Sequence, residues 1–284
     1  MKTISRTAVL ALLGLLLLLP AAAGAGTTRG VEPKLFGGRI VQDPGAYPYV
    51  VAVTSISYFP SITCTGTLIA PDWVLTAAGC VTTLTWDGYL APEKLRVAVG
   101  YLDRQRIPDS GWLSVKRMVA DPDYDLAGFS WMHNVALLQL ATPVTGVTPV
   151  TLVAAGNRTL EGARAPVTAV GWGRPYLGGP ETRMLREANL RVDPVKECRG
   201  QVSGRKKGTS HLLCASTRGK GTCASDEGSP LLAKDGNRWV QVGIASTAYC
   251  GQMGWSSVFA RLSDPEVNAF VANNAMAAGG SAGQ

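Results

Sequence analysis

From about residue 40 onward the chain is a succession of short β-rich runs, 49–56, 64–69, 73–77, 95–99, 135–140, 167–170, 240–245 and 257–262, each stopped by Gly, Pro, Asn or Asp. Regular spacing with turn residues between the runs predicts an all-β sandwich or barrels and argues against alternating β-α units. Composition agrees, since 33 Gly and only 17% charged residues exclude a coiled coil, a charged helical bundle or a disordered chain. One segment departs from the pattern. Ser263-Asp264-Pro265-Glu266 is a helix start, with cap-type residues, Pro at the first helical position and an acid in the first turn, and Val267, Phe270 and Val271 continue it as an apolar stripe. One closing helix is therefore expected over about 264–276, followed by a disordered tail at 279–284.

Residues 1–25 read as a secretory signal: Lys2 and Arg6 give the positive start, 8–19 is an unbroken apolar run, and the small residues of 20–25 offer cleavage after Ala23 or Ala25. The run is too short to span a bilayer, and no later stretch reaches the ~18 apolar residues of a membrane helix. The expected product is a secreted, extracellular protein without a transmembrane anchor. Six cysteines behind such a signal belong to an oxidising compartment and predict three disulfides, whose pairing the spacing alone does not choose. No cysteine pair has the C-x₂₋₄-C spacing of a zinc site, so no metal and no cofactor is expected.

The run 64–80, C-T-G-T-L-I-A-P-D-W-V-L-T-A-A-G-C, resembles the segment of chymotrypsin/trypsin-like serine proteases that reads C-G-G-S-L-I…W-V-L-T-A-A-H-C. Four further landmarks stand in family order. Arg39-Ile40-Val41 is similar to the activation site, Asn134-Val135-Ala136-Leu137-Leu138 to D-I-A-L-L, Val170-Gly171-Trp172-Gly173 to T-G-W-G, and the 223–230 run C-A-S-D-E-G-S-P to C-x-G-D-S-G-G-P. The resemblance covers 39–271. It implies two packed six-stranded antiparallel β-barrels with a C-terminal helix, a domain over 40–278 and a propeptide-like segment at 26–39.

The family's chemistry needs a serine nucleophile, a histidine base and an aspartate that orients the imidazole. All three matching positions differ here: Gly79 stands for the histidine, Asn134 for the aspartate and Glu227 for the serine. Glycine accepts no proton, a neutral amide selects the wrong tautomer, and a carboxylate opposes the negative charge that an oxyanion hole stabilises. The two histidines of the chain, His133 and His211, fall at non-catalytic positions and read as surface or structural residues, and Ser229 reads as a plain loop serine. The oxyanion-hole donors would be the N–H groups of Ser225, in place of a glycine, and Glu227, with a risk that the glycine conformation is lost. At the pocket, Gly221, Ser246, Ala248 and Ser257 exclude a tryptic specificity. The resemblance thus implies an inactive member, a serine protease homologue; the alternative is a residual serine-type endopeptidase or hydrolase that uses a non-standard residue.

By the same resemblance, cleavage between Arg39 and Ile40 would release an ammonium that pairs with Asp226, although Gln42-Asp43 replaces two glycines that help the inserted segment turn. Disulfides are implied for Cys64–Cys80, Cys198–Cys214 and Cys223–Cys250. Asn157-Arg158-Thr159 is an N-glycosylation sequon. The formal charge of +7 is uneven. The signal and propeptide-like segments carry +2 each, leaving +3 on the domain, while 174–220 alone holds +7 against −4 elsewhere. That polarity, centred on Arg205-Lys206-Lys207, suits an anion-binding face for a polyanion such as a glycosaminoglycan, or for an acidic protein. The partner expected is an extracellular protein, such as a component of a protease cascade, or a polyanion. No nucleic acid is expected, and the chain is expected to be monomeric.

Overall fold

The computed structural model describes residues 37–56, 64–83, 85, 87–126, 132–194, 196–197, 209–247, 250 and 255–276. The expectations for the signal, for most of the propeptide-like segment, for Arg205, Lys206, Lys207, Cys198 and Ala248, and for the tail lie outside these residues. Two closed six-stranded antiparallel barrels follow one another along the chain. The first is built from β2 (Val50–Ser55), β3 (Cys64–Ala70), β4 (Trp73–Thr76), β5 (Leu95–Val99), β6 (Leu113–Ala120) and β7 (Ala136–Leu140), in the order β2-β3-β4-β7-β6-β5 with β5 returning to β2.

The second barrel is built from β9 (Pro166–Gly171), β10 (Arg186–Val192), β11 (Leu212–Ser216), β12 (Pro230–Asp235), β13 (Arg238–Thr247) and β14 (Ser257–Arg261). It runs β9-β10-β11-β14-β13-β12 and closes through β12 on β9. Two short strands attach to it: β1 (Arg39–Ile40) pairs with β10, and β8 (Thr151–Leu152) runs parallel to β13. Register shifts at Leu68/Ala70, Val115/Arg117, Leu231/Leu232 and Ala245/Thr247 supply the extra twist that bends a sheet toward closure.

The apolar runs read from the sequence are the central strands. All six residues of β2 are buried, and Leu68, Leu75, Leu137, Leu138 and Leu140 are fully so. The sequence pattern missed four barrel strands, β6, β10, β11 and β12; of these, β6 and β10 carry Lys116, Arg117, Arg186, Glu187 and Arg191, and their pairing, not an apolar run, makes them strands.

The closing helix α1 (Pro265–Val271) starts as expected. Asp264 Oδ1 accepts from the N–H groups of Glu266 (3.0 Å) and Val267 (3.3 Å), and Pro265 occupies the first turn where no N–H is missed. The helix continues as a wider, π-type turn over Ala272–Met276, and Val267, Val271 and Ala275 join the core.

Under α1 lies a buried ion pair. Arg261 Nη1 donates to Glu161 Oε2 (2.7 Å), its Nη2 donates to the Leu212 carbonyl (2.8 Å), and the Ser263 hydroxyl donates to the same carboxylate (3.0 Å). Burial pushes the Glu161 carboxyl up and the Arg261 guanidinium down from their ordinary ranges, and the pair offsets much of that cost. Removing one partner leaves the other charge buried alone. Glu161→Ala is expected to lower stability by about 3–5 kcal/mol, read as a lower denaturant midpoint in chemical unfolding.

Candidate functional site

The two barrels meet where the loops after β4, before β7 and before β12 converge. The centre of the contact is Asn134, which is buried. Its Oδ1 accepts from the Gly79 N–H (2.9 Å), while its Nδ2 donates to the Ser246 carbonyl (3.0 Å) and to the Ser246 hydroxyl (3.1 Å). Gly79 sits in the 3₁₀ turn Ala78–Val81 of the first barrel, and Ser246 lies on β13 of the second. A carboxylate at 134 could not donate to the Ser246 carbonyl, so the amide is matched to this arrangement by hydrogen bonding and not by acid–base chemistry.

The 223–229 loop is pressed against the first barrel. The Thr65 N–H donates to the Glu227 carbonyl (2.9 Å), and the Gly228 N–H to the Ala245 carbonyl (2.8 Å). Gly228 has φ +81°, and a Cβ there would overlap the Thr65 carbonyl, so only glycine lets the loop approach this closely. Two disulfides frame the region, Cys64–Cys80 and Cys223–Cys250. Cys214 is also disulfide-bonded.

Ser225 adopts a left-handed backbone with φ 72°, the conformation that favours glycine. The Ser225 N–H donates to Glu227 Oε2 (3.0 Å), and the Glu227 N–H also stabilises this carboxylate. The Glu227 side chain therefore folds back over its own loop onto the Ser225 N–H. Its carboxyl is nonetheless pushed up, because burial outweighs the two N–H contacts.

Beside it, Asp226 is completely buried and accepts from the Gly173 N–H (2.8 Å) and the Cys223 N–H (2.9 Å). Among the described residues no cation pairs with it. Burial, with a smaller contribution from the Glu227 charge, raises its carboxyl to about 8. Gly173 is required here, since a side chain would run into the Asp226 carboxyl.

The other residues picked from the sequence fall as follows. Ser229 is fully buried and its hydroxyl has no hydrogen-bond partner. Gly221 and Ser257 are buried, and the Ser257 hydroxyl accepts from the Thr222 N–H (2.9 Å). Ile40 is still joined to Arg39 within β1, whose side chain pairs with Glu187, and the Tyr47 hydroxyl donates to that same Glu187. Asn157 is exposed in a turn closed by Thr159.

The basic run is partly spent on the fold, since Arg186 is buried and Arg183 forks onto Asp103 (2.5 Å for the shortest contact). Arg191, Lys196 and Arg218 remain exposed. Sequence reasoning missed the meeting of His133 and His211, whose ring centroids lie 4.9 Å apart, because their separation along the chain carries no spacing signal.

Residues 36–270 match the family described as Trypsin. Among curated relatives, mouse Serine protease 28 (Mus musculus) is 30% identical over 84% of this chain and 89% of its own length. The leaf-beetle Trypsin of Phaedon cochleariae is 30% identical over 70% of this chain and 74% of its own. Bovine Coagulation factor XII (Bos taurus) is 34% identical over 70% of this chain, which spans only 32% of that protein. The chain belongs to the trypsin family.

A carboxyl held near 8 binds a proton in the folded chain that the unfolded chain, at ~3.9, has lost. Between those values the folded state binds more protons, so stability falls as pH rises, by at most about 1.4 kcal/mol per pH unit, and levels off above about 8. Denaturant midpoints of the uncut chain between pH 5 and 8 are expected to show this slope, and Asp226→Asn is expected to flatten it.

Proposed function

We propose that this member of the trypsin family is a secreted, non-catalytic serine protease homologue that acts by binding an extracellular protein or a polyanion, as a cofactor or regulator of a proteolytic cascade. The observation that carries this reading is the Glu227 carboxylate lying on the Ser225 N–H. Acyl transfer needs donors waiting for a developing oxyanion, and here a tethered anion already occupies the donor. Gly79, at the base position, offers no proton acceptor, and the Ser229 hydroxyl is sealed inside the loop.

Neither histidine supplies the missing base. His133 faces Asp121 and Glu266, and His211 faces Asp264 and Glu266, so both rings lie among carboxylates outside the 225–229 loop. The cascade element of the proposal rests on the likeness to a relative named as a coagulation factor. The polyanion element rests on the exposed Arg191, Lys196 and Arg218, together with Arg205, Lys206 and Lys207 of the same segment. Cleavage after Arg39 belongs to the same proposal, with the buried, unpaired Asp226 as acceptor of the new ammonium; N-terminal sequencing of secreted material starting at Ile40 would support it.

The whole secreted chain, cut after Arg39, is expected to give no turnover on broad peptide and ester substrates and no labelling by a fluorophosphonate probe. Glu227→Ser is expected to remain inactive, because the base is still absent. Turnover that disappears on Glu227→Ala or Ser229→Ala would overturn the reading. On a heparin column, the Arg205/Lys206/Lys207→Ala variant is expected to elute at lower salt than the parent chain; unchanged elution would place the binding face elsewhere.

A further inference from the structure

We infer that His133, His211 and Glu266 form a binding site for a zinc-type divalent metal ion, distinct from the region around Glu227. Three separate elements bring these side chains together: the segment leading into β7 of the first barrel, the turn before β11 of the second, and the first turn of α1. They are the only two histidines of the chain, and their candidate ligand atoms and that of Glu266 lie within 4.8 Å of one another.

The geometry converges on one point. His133 Nε2 lies 3.9 Å and His211 Nδ1 3.8 Å from the same atom, Glu266 Oε2. Both distances are too long for a hydrogen bond. They are close to the ~3.3 Å between donors on a tetrahedral zinc with bonds of about 2.0–2.1 Å, so a contraction of about half an ångström brings each imidazole nitrogen to ligand spacing from Glu266, with the fourth position left for water.

The surroundings suit a cation. Asp121 Oδ2 lies 3.2 Å from His133 Nδ1, which fixes the ring so that Nε2 points to Glu266, in the manner of an outer-shell carboxylate on a metal-bound histidine. Asp121 Oδ1 is itself held by the Asp123 N–H (3.0 Å). His211 Nδ1 is a buried nitrogen without a hydrogen bond: Asp264 Oδ1 is 3.0 Å away but out of line, and that oxygen already caps α1. Two imidazoles thus sit side by side among four carboxylates, those of Asp121, Asp123, Asp264 and Glu266, with one ring nitrogen unsatisfied.

The histidine side chains are 13% and 17% exposed and held in place, whereas the Glu266 side chain is 69% exposed and free to close on an ion. His133 also holds a left-handed backbone, φ 54°, rare for a residue other than glycine. Bound there, the ion would staple both barrels to the C-terminal helix. The inference is independent of whether the chain hydrolyses anything.

The test is titration of the untagged, full secreted chain with Zn²⁺ by isothermal calorimetry, together with the visible spectrum of a Co²⁺ complex. One zinc per chain is expected, with a tetrahedral cobalt absorption and a rise in melting temperature with zinc concentration. His133→Ala and His211→Ala are each expected to weaken binding by at least about tenfold, with near-ultraviolet circular dichroism confirming the fold. Glu266→Gln, at an exposed position, is expected to weaken it several-fold without touching the core. Absence of zinc binding in the parent chain, or binding retained within about twofold in the double histidine variant, would overturn the site and leave a purely structural ion-pair cluster.

Discussion

The join between the two barrels depends on the side chain of Asn134. One small amide spans the seam, accepting from Gly79 on one side and donating twice to Ser246 on the other. Because these groups are buried, each would cost about 1–3 kcal/mol if left unpaired. An aspartate here would keep the Gly79 contact and lose the donation to the Ser246 carbonyl, and an aliphatic residue would lose all three hydrogen bonds at once. The position thus remains under strong physical constraint even where no imidazole requires orienting, which accounts for a polar residue persisting beside a glycine.

The neighbouring loop shows how one carboxylate changes the work of its surroundings. Asp226 is completely buried and resists ionisation because that burial outweighs the N–H groups of Gly173 and Cys223 that donate to it. Glu227 adds a second acid next to it and folds back onto the Ser225 N–H. Two adjacent acids in a largely dry loop disfavour each other's charge, and any further anion arriving at Ser225 would meet both. The left-handed turn at Ser225 persists because the flanking hydrogen bonds and the Cys223–Cys250 disulfide fix the loop from both ends.

Much of the architecture is legible in the sequence. The apolar runs became β2, β3, β4, β5, β7, β9, β13 and β14, and the capped Ser263–Glu266 start became α1, because both signals are local. The charged strands β6 and β10 were not legible, since only a partner strand remote in sequence makes them strands. The same holds for side-chain meetings. That Asn134 reaches Ser246, that Glu227 reaches Ser225 in its own loop, and that His133 reaches His211 depends on barrel closure and loop conformation, which no spacing encodes. Charge counting is blind to partners in a related way: of the basic residues in 174–220, Arg183 and Arg186 are committed to Asp103 and to the interior.

The C-terminal helix has a consequence for how the chain matures. Its π-type end touches β7, a strand of the first barrel, and the Asn268 amide binds the Val153 and Leu262 carbonyls. Residues 272–276 therefore complete packing begun by a strand more than a hundred residues earlier in the chain. Such long sequence separations make folding slow, because distant chain ends must meet before the contact repays the lost entropy. The first barrel consequently stays incompletely covered until the helix and its π-type end dock against it.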